Sequence, residues 1–178
     1  TGQGQYDISP SGSLVYAAGG ILPDIQNSLV WVDQSGSEQP VTSLHKAFQA
    51  PRLSPDGQRI AYVTAGREWN AFVYDLNTGI ESRLTNEGTC IRVIWTPDGK
   101  RITFAWGEST VSNLFSQPYD GSSPMERLTT SEYDQQVSSW SPDGRTCAFL
   151  EGRPDGGYDI LLRDARTGQV TPFLNSRF

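Results

Sequence analysis

Ser54-Pro55-Asp56-Gly57, followed by Ile60, Ala61, Tyr62 and Val63, decides the fold, because the same phrase returns along the chain. Its other copies are Ser9-Pro10-Ser11-Gly12, Thr96-Pro97-Asp98-Gly99 and Ser141-Pro142-Asp143-Gly144, at spacings of 45, 42 and 45 residues. A fixed period of this length marks a repeated supersecondary unit. Each landmark is followed by an apolar run, at residues 14–17, 60–63, 102–106 and 146–150. A second run follows at 29–32, 71–74, 114–115 and 160–162, each leading to a glycine turn at Gly36, Gly79, Gly121 or Gly168. A closing segment comes next, with Val41-Thr42, Leu84-Thr85, Leu128-Thr129 or Phe173-Leu174, and a short run such as 92–95 or 137–140 precedes the following landmark. The unit is therefore read as four strands.

Turn chemistry supports that reading. Proline presets φ at the first central position, Asp tolerates the second, and Gly57, Gly99 and Gly144 supply the left-handed residue of a bulged hairpin. Four antiparallel strands per period predict an all-β propeller of four blades, each a small sheet buried on both faces. The expected blades are 4–44, 49–87, 91–131 and 136–176, in one domain over 1–178. Pro40, Pro124, Pro172, Arg83 and Arg127 in the closing segments are residue types that protect outer edges. Trp95 and Trp140, at the same place in adjacent repeats, are read as packing between blades.

Composition narrows the function. The 178 residues carry 14 basic and 20 acidic side chains, a net charge of −6, which argues against a nucleic-acid partner. A chain of this length buries roughly 70% of its unfolded surface, enough for one sizeable core. No apolar run approaches a membrane span, and residues 1–13 are polar, so no membrane insertion is expected and an export signal is absent or already removed. A single histidine, His45, and two cysteines argue against zinc chemistry, histidine-based catalysis and a disulfide framework. Buried free thiols are the expectation for Cys90 and Cys147, and no cofactor is implied.

The phrase Ser-Pro-Asp-Gly, a basic residue, Ile-Ala-Tyr-Val, a strand ending in Asp, a glycine turn and Arg-Leu-Thr resembles the repeat of TolB-like propellers, the PD40 repeat. The segment Ser-Leu-Val-Trp-Val-Asp-Gln-Ser-Gly at 28–36, with 50–59, is similar to the C-terminal, extracytoplasmic propeller of some bacterial membrane serine/threonine kinases. Nothing here matches a kinase catalytic motif. The resemblance implies a sensing or interaction module, a periplasmic or extracytoplasmic location, and a protein or cell-envelope partner. TolB itself is similar to a six-bladed ring, whereas only four repeats stand here. An open array is therefore expected to expose apolar blade faces and to associate as a homodimer through them. The end at 175–178, without a capping feature, favours a piece of a longer propeller.

In such a fold the Pro-Asp-Gly turns, Pro55, Asp56, Gly57, Pro97, Asp98, Gly99, Pro142, Asp143 and Gly144, are scaffold. The loops at the opposite end vary in length and chemistry, and rigidly held loops carry binding residues. Arg67, Glu68, Trp69, Glu108, Tyr133, Asp134, Arg153 and Tyr158 are the binding candidates there. The competing reading is a carbohydrate- or peptide-processing enzyme with Glu68, Glu108 and Glu151 facing one another across a central opening. A third is a fragment of a longer propeller with no function alone.

Overall fold

The computed structural model describes residues 6–8, 12, 14–18, 26–66, 69–108 and 110–174. Among the described residues, sixteen strands form four separate four-stranded antiparallel sheets, each a meander in chain order. Blade one holds β1 (Tyr6–Ile8), β2 (Leu14–Ala18), β3 (Ser28–Val32) and β4 (Glu38–Pro40). Blade two holds β5 (Phe48–Leu53), β6 (Arg59–Thr64), β7 (Asn70–Asp75) and β8 (Glu81–Arg83). Blade three holds β9 (Thr89–Trp95), β10 (Arg101–Gly107), β11 (Asn113–Pro118) and β12 (Glu126–Arg127), and blade four holds β13 (Gln135–Trp140), β14 (Thr146–Gly152), β15 (Tyr158–Asp164) and β16 (Val170–Leu174). The four-blade, all-β expectation holds.

The second strands of the inner blades, β6 and β10, are largely apolar on both faces because both faces are covered. Ile102, Phe104 and Trp106 of β10 pack in one cluster with Ala61, Val63, Ala71 and Val73 of blade two. Ile60, Tyr62 and Tyr74 pack with Val15 and Leu29 of blade one, while Phe149 and Cys147 pack with Ala105 and Leu114 of blade three. The first two junctions set aromatic side chains of the later blade, Tyr62 and Tyr74 or Phe104 and Trp106, against mostly aliphatic ones of the earlier. Burying one such aromatic contributes about 2 to 3 kcal/mol. Polar ties add direction: Trp95 Nε1 donates to the Arg52 carbonyl at 2.9 Å, and Trp140 Nε1 to Thr103 Oγ1 at 3.0 Å, each across a junction. Lys46 Nζ meets Glu81 Oε2 at 2.5 Å, and the other Glu81 oxygen accepts from the buried Tyr62 hydroxyl.

No comparable packing joins blades one and four among the described residues, so the row of blades is open. The outer edges are exposed: β4, β12 and β16 are exposed throughout, and Phe173 in β16 is 69% exposed. Both thiols are free and buried, as the sequence suggested. Burial pushes the Cys147 thiol up to about 12 and raises Cys90 as well, which leaves both unreactive at neutral pH. The third strand of blade three is longer than the run 114–115 suggested. Asn113, Ser116 and Gln117 are buried within β11 although they are polar, and hydropathy alone hides such positions. The end at 175–178 lies outside the described residues.

Candidate functional site

The open row has two ends, one built from the Pro-Asp-Gly turns and the other from the loops between second and third strands. At the turn end the side chains bond to their own turns. Asp98 Oδ1 accepts from Thr96 Oγ1 at 2.6 Å and from the Lys100 amide at 3.0 Å. Asp143 does the same with Ser141 and Arg145, and Asp56 with Ser54 and Gln58. Gly57, Gly99 and Gly144 hold φ of 69°, 67° and 69°, the left-handed conformation the turn needs. The hydroxyl bonds from Thr96 and Ser141 hold the Asp98 and Asp143 carboxyls below the ordinary carboxylate range. The hairpins between third and fourth strands repeat the device: Asp75 accepts from Asn77 and Thr78, and Asp164 from Arg166 and Thr167.

At the loop end, backbone bonds seal each blade to the next. The amide of Cys90 donates to the Trp69 carbonyl and that of Gln135 to the Ser112 carbonyl, both at 2.8 Å, and Asn27 forms a bridge with Lys46. Asp134 fastens the junction of blades three and four. Its Oδ1 accepts from the Ser112 amide at 3.0 Å, and its carbonyl accepts from the Gly152 amide at 2.8 Å. Arg153 ties its own loop by bonds to Asp155 and Asp159. Trp69 is half-buried against the core between blades two and three. Tyr133, next to Asp134, and Tyr158, paired with Gly152, stand 41% and 49% exposed on that locked backbone. Glu108 is exposed at the junction of blades two and three, while Arg67 and Glu68 lie outside the described residues.

Of the carboxylates considered for acid–base work, Glu108 is exposed while Glu151 is half-buried and engaged, and Glu68 lies outside the described residues. Glu151 Oε2 accepts from Gln135 Nε2 at 2.6 Å, and Gln135 in turn accepts from Thr129 Oγ1, whose oxygen holds the Leu114 amide. This chain of bonds joins blades three and four, and the sequence reading missed Gln135 and Thr129. A Thr in the same closing position, Thr85, holds the Ala71 amide in blade two, so the repeated Leu-Thr pair was the available signal. His45 is exposed with Nδ1 2.9 Å from the Ser43 carbonyl. Among the described residues, no three His, Cys, Asp or Glu side chains group to hold a metal ion, and no helix is long and apolar enough to cross a membrane.

A second feature of the loop end also escaped the sequence reading. Between the closing segment of blade two and the outer part of blade three runs a groove of about 340 Å³. Glu108 lines it together with Glu87, Trp106, Gln117, Leu84 and Met125. The Trp106 indole is fixed at its rim by an Nε1 bond to the Glu87 carbonyl at 2.7 Å.

Comparison with known proteins gives a consistent result. The model of the family described as TolB beta propeller domain, PD40, matches residues 24–177. A protein named as a TolB homolog from Chlorobium luteolum is 37% identical over 138 residues, 76% of this chain and 30% of that protein. An uncharacterized protein of Agrobacterium fabrum is 26% identical over 147 residues, 82% of this chain and 50% of that protein. The chain spans half or less of the length of these relatives. The crystal structure of TolB from Acinetobacter baumannii matches with a TM-score of 0.77 at 22% identity, over 98% of this chain and 44% of that one. A likeness of fold alone extends to an oligogalacturonate lyase in complex with manganese, at 16% identity and a TM-score of 0.63, over 97% of this chain and 54% of that one.

Proposed function

The chain belongs to the PD40 family of TolB beta-propeller domains, and on that premise we propose that it is a non-catalytic binding scaffold, working outside the cytoplasm. Its partner in this reading is a protein of the bacterial cell envelope, met by the loop face. The observation that supports this best is the pair of exposed tyrosines, Tyr133 and Tyr158, mounted on backbone that Asp134 locks at a blade junction. Tyrosine supplies large contact area at low entropic cost, and a preorganised surface loses little freedom on binding. Trp69, Glu108, Arg153, Arg67 and Glu68 extend the proposed surface along the same face.

Engagement of Glu151 by Gln135 favours binding over acid–base catalysis. The open faces of blades one and four are proposed to pair two copies, since Leu150, Ile160 and Leu162 face away from blade three and are only half-buried. Light scattering over a wide concentration range checks this, and a monomer throughout would contradict it. Partner recognition is tested by immobilising the chain and its Tyr133→Ser/Tyr158→Ser variant, then identifying periplasmic proteins held by each. The expected result is a protein retained by the parent and lost by the variant. Equal retention would reject the loop face as the binding surface.

A further inference from the structure

One position of the innermost strands carries a different kind of side chain in every blade. Asp7, Arg52, Ile94 and Ser139 stand at the same register, opposite Val15, Ala61, Thr103 and Ala148 of the second strands. The next residue is apolar each time: Ile8, Leu53, Trp95 or Trp140. All four members of the variable set line one cavity of about 340 Å³, beside the Pro55 and Pro97 turns, whose wall comes from every blade. This surface lies at the turn end of the molecule, away from the loop face.

The two charged members of the set do not neutralise each other. Arg52 Nη1 donates to the Tyr6 carbonyl at 3.1 Å and to the Pro51 carbonyl at 2.9 Å, which leaves Nε and Nη2 without a described acceptor. Asp7 Oδ2 accepts from the Leu53 amide at 2.7 Å, and no ion pair joins it to Arg52. Arg92, on the neighbouring inner strand, adds a second positive charge close by. Burial and the charge of Arg52 both draw its guanidinium below the usual range. Burial also raises the Asp7 carboxyl, so a cation brought beside it stabilises its ionised form. The rest of the wall is largely apolar: Ile94 is buried, Trp140 is half-buried, and Ile8 is 58% exposed although it lies on an innermost strand.

We infer that this cavity binds a free α-amino acid with an apolar side chain. The carboxylate accepts from Nε and Nη2 of Arg52, a pair of donors whose fixed fork matches carboxylate geometry. The ammonium donates to Asp7, and the side chain lies against Ile8 and Trp140. Opposite charges held apart on one wall match a zwitterion better than they match an acid or an amine alone. Charge-assisted bonds of this kind are about twice as strong as neutral ones. The volume falls in the range of about 300 to 1,000 Å³ common to small-molecule sites. The inference goes beyond the loop-face reading and does not rest on it.

The experiment titrates the ¹⁵N-labelled chain with L-leucine, N-acetyl-L-leucine and L-leucinamide, which keep the side chain and remove the ammonium or the carboxylate in turn. The readout is the indole N–H of Trp95 and Trp140, both on the cavity wall, among the five tryptophans. L-Leucine is expected to shift these two signals saturably, and each derivative to bind about tenfold more weakly. Arg52→Gln and Asp7→Asn are expected to weaken leucine binding by a similar factor of about ten. Both residues also tie β1 to β5, so a second kind of variant is needed. Ser139→Phe, at an exposed position on the wall, fills the cavity without touching those ties and is expected to abolish the shift. No saturable shift with leucine, equal binding of either derivative, or unchanged binding by Ser139→Phe would each overturn the inference. The titration needs no envelope partner, so its outcome is independent of the test at Tyr133 and Tyr158.

Discussion

At the turn end of the molecule, Asp56, Asp98 and Asp143 each bond to a hydroxyl two residues back and an amide two residues on, within their own turns. At the loop end the three junctions share one backbone bond, from Lys46, Cys90 or Gln135 to the carbonyl of Asn27, Trp69 or Ser112, but not their side chains: Asp134 is the carboxylate that fastens blades three and four. The turn end repeats because each of the three described turns does the same job, and their polar groups are occupied by that job. The loop end varies because its backbone is fixed locally, which leaves Tyr133, Tyr158, Glu87 and Glu108 facing outward. Repetition in this sequence therefore marks scaffold, and departure from repetition marks surface available for recognition.

The contrast is not one of rigid against loose, and the largest predicted effect lies at the loop end. A Cβ on Gly107 would sit 2.2 Å from the Val111 carbonyl oxygen. Gly107→Ala is expected to cost about 3 kcal/mol, lowering Tm by roughly 6 to 12 °C in thermal unfolding. An unchanged Tm would mean that the loop end lacks the locked backbone on which the contrast depends. Next comes Trp95→Phe, which removes the bond to the Arg52 carbonyl across a blade junction. A loss of about 1 to 2 kcal/mol in denaturant titration is expected. Asp98→Ala removes two bonds within an exposed turn, with a loss of about 1 kcal/mol by the same measurement.

The same turn carboxylates give the pH dependence. Hydrogen bonding lowers the Asp98, Asp143, Asp75 and Asp164 carboxyls in the folded chain, so the unfolded chain binds their protons more tightly. Their stabilisation is present above the unfolded value of about 4 and lost as pH falls through the lower folded values. Asp7 opposes them, because burial raises its carboxyl. Tm is expected to hold steady above about pH 4 and to fall below it, and Asp98→Asn should flatten that fall. The smallest effect is on the stability of Tyr133→Ser/Tyr158→Ser, expected within about 0.5 kcal/mol of the parent while partner retention is lost. A large drop in Tm there would make the tyrosines part of the scaffold.

Much of this was legible in the sequence. Proline and glycine at fixed spacing gave the turns, and runs of apolar residues on successive positions gave strands covered on both faces, so blade number and order followed. The rest was hidden for definite physical reasons. Gln117 and Gln135 are polar side chains in strands, and only tertiary packing decides whether such groups are buried. Asp134 and Arg153 are polar residues in variable loops, a pattern shared by binding residues and by local ties. Their bonds to Ser112, Asp155 and Asp159 depend on loop geometry that composition does not encode. The groove at Glu87 and Glu108 joins residues from two blades, and no spacing within one repeat points to it.

The most direct test of the central claim places a photo-reactive benzoylphenylalanine at Tyr158 in one copy of the chain and at Thr167 in another. Both positions are exposed in blade four, one at the loop end and one at the turn end. After irradiation with a periplasmic extract, a discrete cross-linked partner is predicted for position 158 and none for position 167. Cross-linking at 167 alone, or equally at both, would contradict the assignment of recognition to the loop face.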